Sequence, residues 1–392
     1  MKLSNRITQI TPGGADGWDL YRTARSMAAN GQPVIQLTLG EHDIRTDPQI
    51  LQALHDAAKG GHTGYPSIPG IPALRAKIAA RIADQSGVPT SAANIQITAG
   101  GQAGLFMSHQ VACDDGDVAL FIDPYYATYP GTIRSIGAVP RAVTARAEDG
   151  FQPQASAIAA ATAGAKSLLI NSPNNPTGVI YTRETLDGIA RVCRDRDLWL
   201  ISDEVYDTQV WAGEHLSPRA LPGMAERTLV IGSMSKSHAM TGSRLGWICG
   251  PEDAIAHLTD LTTNTNYGIP GYIQDAALFA LNLGPAFEAQ IAAPFQRRRA
   301  ITQSILAGQN LINAAPMDGA MYVMLDIRPT GLTGAAFAER LLNDHLIAVM
   351  PGGSFGQATV GHVRVAMTVA DDIYAAALTR ILTFAQDLAQ HR

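Results

Sequence analysis

The sequence predicts an α/β fold: a mostly parallel central sheet with helices on both faces, followed by a smaller α+β domain. Three observations carry this. Between about residues 94 and 250, short apolar runs alternate with helical or loop segments, the rhythm of strands joined by crossover helices. Polar residues with chemistry to offer stand at the ends of those runs, which is where ligands bind on such sheets. Beyond about residue 272 the pattern changes to long helical stretches with three further strand-like runs.

In chain order, a helix is predicted over 18–29, with Gly31 past its end, and then a short strand over 34–39. Asp47 and Pro48 supply an N-cap and a first helical position, so a helix runs to Lys59 and stops at Gly60-Gly61. Strands follow over 94–99, 117–122, 138–143, 167–171, 198–202, 228–232 and 246–250, with a helical pattern over 103–111 after the first. A largely helical stretch from Tyr272 to about Leu306 leads to strands over 320–327, 347–350 and 363–367, and to helices over 334–344 and 371–390. Glycine and proline punctuate these elements rather than cluster.

At 392 residues the chain suits two domains, with a core able to bury about three quarters of the unfolded surface. A net charge of -5 gives no general attraction to nucleic acid or an anionic membrane. The one basic run, Arg297-Arg298-Arg299, lies in a helical pattern and reads as a solvated face or as ion pairs. Cys113, Cys193 and Cys249 are too scattered for a disulfide framework or a metal site, which points to a reducing cytoplasm. Met1 to Arg6 lead into no apolar targeting segment, and no run reaches the roughly 18 apolar residues of a spanning helix, so a soluble protein is expected.

The chemistry starts at Lys236, in Ser233-Met234-Ser235-Lys236, just beyond the apolar run Thr228 to Ile231. An amine held in a desolvated pocket beside a cation such as Arg244 loses affinity for its proton and can form a Schiff base with a carbonyl. Two neighbouring runs end in matching fashion, Ser167 to Ile170 at Asn171 through Asn175 to Gly178, and Leu198 to Ile201 at Asp203-Glu204-Val205-Tyr206. Together these are the parts that pyridoxal 5'-phosphate needs. Asp203 can hold the proton on the pyridine nitrogen, Tyr206 and Asn175 can donate to the ring oxygen, and Ser233, Ser235 and Arg244 can hold the phosphate. Gly100-Gly101-Gln102, between a strand and a helix, add the free amides of a helix N-terminus. Singly, each residue has an ordinary reading: a solvated turn at Asp203-Glu204, a surface Arg364, core aromatics at Tyr126 and Tyr206. Their joint placement at strand ends favours the cofactor.

Those residues carry a resemblance. From about Leu37 to Met367 the chain resembles the class I/II aminotransferases of the fold-type I pyridoxal-phosphate enzymes, closest to the bacterial aspartate aminotransferase group. The matching stretches are Leu39-Gly40-Glu41-His42-Asp43, Gly64-Tyr65, Gly70 to Arg75, Thr98 to Gln102, Asp123-Pro124-Tyr125-Tyr126, Asn174 to Gly178, Asp203 to Tyr206, Ser233 to Lys236 and Val363-Arg364-Val365. The resemblance implies that Lys236 is the Schiff-base lysine and proton carrier, that Tyr126 stacks on the cofactor ring, and that Arg364 clamps the substrate α-carboxylate with Gly40 beside it. It also implies a homodimer in which Tyr65 reaches the phosphate of the neighbouring subunit's cofactor. Residues 46–280 are then the large cofactor-binding domain, with 1–45 and 281–392 forming the small one. The activity implied is ping-pong transfer of an amino group from an L-amino acid to a 2-oxo acid, in amino-acid metabolism on the biosynthetic side. His42, Ile44 and Ser243 depart from the common Pro, Phe and Trp of relatives and leave the substrate open.

Rival readings rest on shorter patterns. Ser233 to Lys236 also matches Ser-x-x-Lys, and Gly352-Gly353-Ser354-Phe355-Gly356 matches a hydrolase nucleophile elbow. The first lacks its partner motifs, and the second has His362 ahead of Asp371, the wrong order for a serine acyl hydrolase. No Gly-x-Gly-x-x-Gly or Gly-Lys-Ser/Thr loop is present. A β-eliminating carbon–sulfur lyase on the same fold is the nearer alternative, since the same residues serve it. For substrates, 2-oxoglutarate is the expected acceptor. Trp18, Tyr21, Tyr267 and Tyr322 suggest a broad or aromatic-tolerant donor pocket.

Overall fold

The seven apolar runs between residues 94 and 250 form one sheet, in a computed structural model that describes residues 1–12 and 18–390. After a two-residue strand β1 (Ile35–Gln36), the strands are β2 (Ile95–Thr98), β3 (Val118–Asp123), β4 (Val139–Thr144), β5 (Ala165–Asn171), β6 (Trp199–Asp203), β7 (Thr228–Ser233) and β8 (Gly246–Cys249). Their spatial order is β2-β8-β7-β6-β5-β3-β4, with β3 to β7 parallel and β8 antiparallel to both its neighbours. β2, β3, β7 and β8 are buried along their whole length because helices cover both faces. In register, Asn171 lies beside Asp203 and Asp203 beside Ile231, so the polar ends of three successive strands meet along one edge of the sheet.

Local signals place the helices. Asp47 caps the helix Pro48–Lys59 by accepting from the Gln49 N–H at 2.8 Å, with Pro48 in the first turn where its missing N–H costs nothing. The helix after β2 starts earlier than predicted, at Gly100 rather than Ala103, and runs to Ala112. Gly100 has φ +78° and Gly101 and Gln102 form its first turn, so the Gly-Gly-Gln run is the helix N-terminus itself. The stretch from Tyr272 to Leu306 is two helices, Gly271–Asn282 and Pro285–Ala307, bent by 87° at Gly284, whose φ is +78°. No single described helix is long and apolar enough to cross a membrane.

The C-terminal part holds β9 (Asn313–Ala314), β10 (Tyr322–Asp326), β11 (Ile347–Ala348), β12 (Met350–Pro351) and β13 (His362–Ala366). β12, β13, β10 and β9 make a four-stranded antiparallel sheet. Two expectations need correction. The predicted strand over 347–350 divides, its first half pairing parallel with β1 and its second half pairing with β13. The strand over 34–39 is only two residues long, and β9 was not anticipated; strands this short are set by tertiary pairing rather than by local pattern.

The segment beyond β1 crosses onto the C-terminal sheet. Leu37 belongs to the apolar cluster of β10, β13 and the helix Asp371–Gln390, and its carbonyl accepts the Ala366 N–H at 2.9 Å. Arg298, in the triple-arginine run, is buried rather than solvated. Its Nη1 and Nη2 donate to Asp43 at 3.0 and 2.6 Å, its Nε to Asp371 at 2.8 Å and its Nη1 to the Met367 carbonyl at 2.9 Å. Arg297 also meets Asp371, and Arg299 donates to the Met317 carbonyl.

Candidate active site

A cavity of about 280 Å³ lies at the strand ends, close to the lower end of the roughly 300–1,000 Å³ usual for small-molecule sites. Lys236, Asp203, Tyr206, Asn175, Tyr126, Ser233, Ser235, Arg244, Gly101, Gln102, Gly40 and Arg364 all line it. Tyr65 does not.

Lys236 sits in a short helical turn, Met234–Ser237, begun by the Ser233 hydroxyl, which accepts the Ser235 N–H at 3.1 Å. Its Nζ donates to the Gly40 carbonyl. Burial lowers its pKa to about 8; Glu41 opposes the shift, while Arg364 and Arg244 add to it. Opposite stands Asp203, at the end of β6. The Tyr129 hydroxyl donates to its Oδ2 at 2.6 Å and the Val205 N–H to its Oδ1 at 3.3 Å. Burial nevertheless raises the Asp203 carboxyl to about 6, against the lowering effect of those two bonds. Glu204, the next residue, faces away as strand alternation requires, and binds Ser217 and His215.

Arg364 enters from β13, 1% exposed, with its guanidinium between the rings of Tyr322 and Phe355, each centroid 4.3 Å away. It donates to Asn175 Oδ1 at 2.7 Å and to the Thr38 carbonyl, and Nε has no partner. No carboxylate pairs with it among the described residues. Asn175 is itself held by Asn171, whose Oδ1 accepts its N–H at 2.7 Å. With Asn175 Oδ1 taken by Arg364, its amide NH2 is the end left for the cavity.

On the far side, Arg244 has φ +50° and, among the described residues, donates only to the Thr241 and Ala99 carbonyls. Its guanidinium lies over Gly100, where a Cβ would come within 2.5 Å of Nη2. Close approach is also forced at Gly246, whose Cβ would lie 2.7 Å from the Gly100 carbonyl carbon. Ser233 and Ser235, linked at 3.0 Å, complete a cradle of hydroxyls, a cation and the N-terminus of a 13-residue helix. A cavity with two buried or poised cations and no carboxylate on either calls for anions, one at Arg244 and one at Arg364.

The sequence profile described as aminotransferase class I and II matches residues 32–381. The chain belongs to that family. The aminotransferase is 39% identical over 390 residues to the arginine–pyruvate transaminase AruH of Pseudomonas aeruginosa, covering 99% of each chain. It is 33% identical to the aspartate/prephenate aminotransferase of Thermus thermophilus, over 96% of this chain and 97% of that one. A solved structure of Thermus thermophilus aspartate aminotransferase superposes with a TM-score of 0.90 at 32% identity, covering 97% of this chain and all of that one.

The aminotransferase uses pyridoxal 5'-phosphate, and the residues present fit it. The Arg244 cradle could hold the phosphate, buried Asp203 could face the pyridine nitrogen, and Lys236 offers the aldehyde an amine of lowered pKa. Rival constellations are not assembled. Ser354 sits on a 3-10 turn, Gly352–Phe355; His362 is edge-on to Phe151, and Asp371 is engaged by Arg297 and Arg298. The Ser233 hydroxyl bonds Ser235 and the Leu245 carbonyl instead of Lys236.

Three contributors to this aminotransferase site were not singled out from sequence. Tyr129 holds Asp203, and its place three residues after Tyr126 is the signal that could have found it. Glu41 lines the cavity, although it stands within a stretch that the family resemblance already marked. The Thr38 carbonyl has no sequence signature at all. Of the four aromatics suggested for the donor, Trp18 and Tyr322 line the cavity. Tyr21 packs near Phe355, whereas Tyr267 lies outside, its ring 5.8 Å from that of Tyr65.

Proposed function

We propose that this aminotransferase moves the amino group of an L-amino acid to a 2-oxo acid with Lys236, Asp203 and Tyr206 as the catalytic residues. The reading is carried by the convergence in one cavity of an amine with pKa about 8, a buried carboxylate and a buried guanidinium without a carboxylate. Bound there, pyridoxal phosphate supplies an electron sink that stabilises negative charge on the substrate α-carbon. Asp203 holds a proton on the pyridine nitrogen. Tyr206 and the Asn175 amide donate to the ring oxygen, Tyr126 covers the ring, and Ser233, Ser235, Arg244 and the N–H groups of Gly101 and Gln102 hold the phosphate. Arg364 takes the α-carboxylate in a two-pronged pair, with Gly40 beside it. Lys236 Nζ, near its pKa at neutral to mildly basic pH, takes the proton from the α-carbon.

The acceptor is a 2-oxo acid: 2-oxoglutarate is expected on the family resemblance, whereas the Pseudomonas relative carries pyruvate in its name. The domain division into 46–280 and 1–45 with 281–392 belongs to the same reading, as does a cytoplasmic homodimer. Tyr65, 91% exposed, supports the latter, because a phenol so bare beside Tyr267 is placed to reach a partner.

The test is the absorption spectrum of the purified protein before and after L-amino acids are added singly without a 2-oxo acid. Transamination converts the yellow cofactor band to the pyridoxamine form. A band that persists while ammonia and a 2-oxo acid accumulate identifies a carbon–sulfur lyase.

A further inference from the structure

The Gly352-Gly353-Ser354-Phe355-Gly356 run builds no nucleophile elbow, but its place in the fold gives it another use. Phe355 supplies one of the two rings that flank the Arg364 guanidinium, the other being Tyr322. These two walls are held by different means. Tyr322 lies in β10, paired along its length with β13, and its hydroxyl meets that of Tyr206 at 2.9 Å. Phe355 belongs to no strand. It stands on a turn between β12 and β13, closed at its base by the Thr359 hydroxyl, which donates to the Gly352 carbonyl at 2.9 Å.

The tip of that turn is fixed from the central sheet. Asp123, the last residue of β3, is buried and aims its carboxylate at the backbone of residues 357 and 358. Its Oδ2 accepts the Gln357 N–H at 2.9 Å, and the Ala358 N–H lies 3.3 Å from Oδ1 and 3.4 Å from Oδ2. Among the described residues no cation pairs with it, so these two amides are what offset the burial of its charge. Two residues on, the Tyr125 N–H donates to the Phe355 carbonyl at 2.9 Å. Gly356, with φ +118°, leaves room for both contacts: a Cβ there would strike Asp123 Oδ1 and come within 2.9 Å of Tyr125 Cε1. The next residue, Tyr126, lines the cavity. One short segment at the end of β3 therefore carries both an aromatic wall of the cavity and the anchor for a wall around Arg364.

We propose that Asp123 is a positioning residue: by docking the 355–358 turn it holds the Phe355 ring against Arg364, and so sets how tightly the α-carboxylate of the substrate is bound. This rests on the reading of Arg364 as the carboxylate clamp. The test is calorimetry on the cofactor-loaded protein with pentanoate, an unreactive monocarboxylate, beside titration of the yellow band with pyridoxal phosphate. Asp123→Asn replaces a charged acceptor by a neutral amide facing two N–H donors, so pentanoate binding weakens at least about tenfold while cofactor affinity changes less than about twofold. Gln357→Pro breaks the same contact from an exposed position, the first of the turn Gln357–Thr359, where proline is tolerated, and gives the same result even if Asp123→Asn does not fold. In a Phe355→Leu background either change costs less than about twofold more, because both act through one ring. A folded Asp123→Asn or Gln357→Pro protein with wild-type affinity for pentanoate overturns the proposal. So does an equal loss of cofactor affinity, or the full loss repeated in the Phe355→Leu background. Arg364→Met separates the two readings: pentanoate bound undiminished by that variant sinks the clamp assignment, and the proposal with it, whereas binding lost there and kept in Asp123→Asn sinks the positioning role alone.

Discussion

Arg364 and Asp203 show how single residues are kept in states that would be unfavourable elsewhere. A buried guanidinium without a carboxylate is destabilising unless its hydrogen bonds are met, and here two of its nitrogens are satisfied by Asn175 and Thr38 and its faces by two rings. Asp203 has a defined pH signature. Its carboxyl is raised from 3.8 to about 6, so the folded cofactor-free protein holds a proton that the unfolded chain has lost. Stability falls as pH rises from about 4 to about 6, and the full cost, about 3 kcal/mol, persists above that. Asp203→Asn should thus stabilise the cofactor-free protein at pH 7 to 8, give no gain near pH 4, and abolish transamination; urea unfolding at both pH values with an activity assay checks all three. Lys236 runs the other way. Uptake of pyridoxal phosphate needs the free amine, so its rate should rise about tenfold per pH unit and level off above about pH 8, followed by stopped-flow absorbance. Lys236→Ala should cut turnover by at least about 10²–10⁴-fold while cofactor still binds to the Asp203 and phosphate contacts.

At the scale of elements, the phosphate cradle depends on three pieces of backbone approaching without side chains between them. β8 runs antiparallel to β7, which brings Gly246 against Gly100 and lays Arg244 over the helix N-terminus. Gly100→Ala introduces a Cβ at φ +78° and pushes into Arg244 Nη2. The expected loss is about 1–3 kcal/mol of stability, with at least tenfold weaker cofactor binding, because on the proposed assignment the displaced guanidinium holds the phosphate. Titration of the yellow band against pyridoxal phosphate measures the second effect, and thermal unfolding the first. The strand ends around this cradle were legible from sequence because each apolar run stops at a polar cluster. The short pairings of β1 with β11 and of β12 with β13 were not, since two-residue strands carry no periodicity and exist only through their partners.

Over the whole molecule, Arg298 ties three distant segments together. Asp43 lies three residues beyond Gly40, and Met367 three beyond Arg364, so the clasp fixes the two sides of the substrate end of the cavity. Arg298→Met leaves Asp43, 22% exposed, without its cation while Asp371, 33% exposed, keeps Arg297, so the loss should fall at or below the lower end of the about 3–5 kcal/mol seen on breaking buried pairs. KM for the amino donor should rise as well, whereas the surface pair Arg183–Asp187 can be removed with a change below about 1 kcal/mol. Denaturant unfolding and steady-state kinetics on both variants distinguish the two cases. Assembly has its own test. If Tyr65 serves the neighbouring site, Tyr65→Ala and Lys236→Ala proteins are each impaired, but mixed one to one they form hybrids with one intact site and recover about a quarter of wild-type activity. Recovery no greater than the sum of the separate variants rules out a shared site.

By itself the sequence determined the alternating architecture, the capped helix at Asp47, the family and the residues that meet at the strand ends, because those depend on local periodicity, capping chemistry and motifs whose spacing survives in the linear chain. Only the tertiary structure decided that Tyr129 braces Asp203, that the Thr38 carbonyl and two aromatic rings hold Arg364, that Arg298 is buried between Asp43 and Asp371, and that Glu41 lines the cavity and accepts from the Thr241 hydroxyl. These are contacts between residues 74, 326, 255, 73 and 200 positions apart for Tyr129–Asp203, Arg364–Thr38, Arg298–Asp43, Arg298–Asp371 and Thr241–Glu41. No short-range pattern encodes such separations; they follow from strand order and from the burial that makes an unsatisfied charge seek whatever partner the fold brings near.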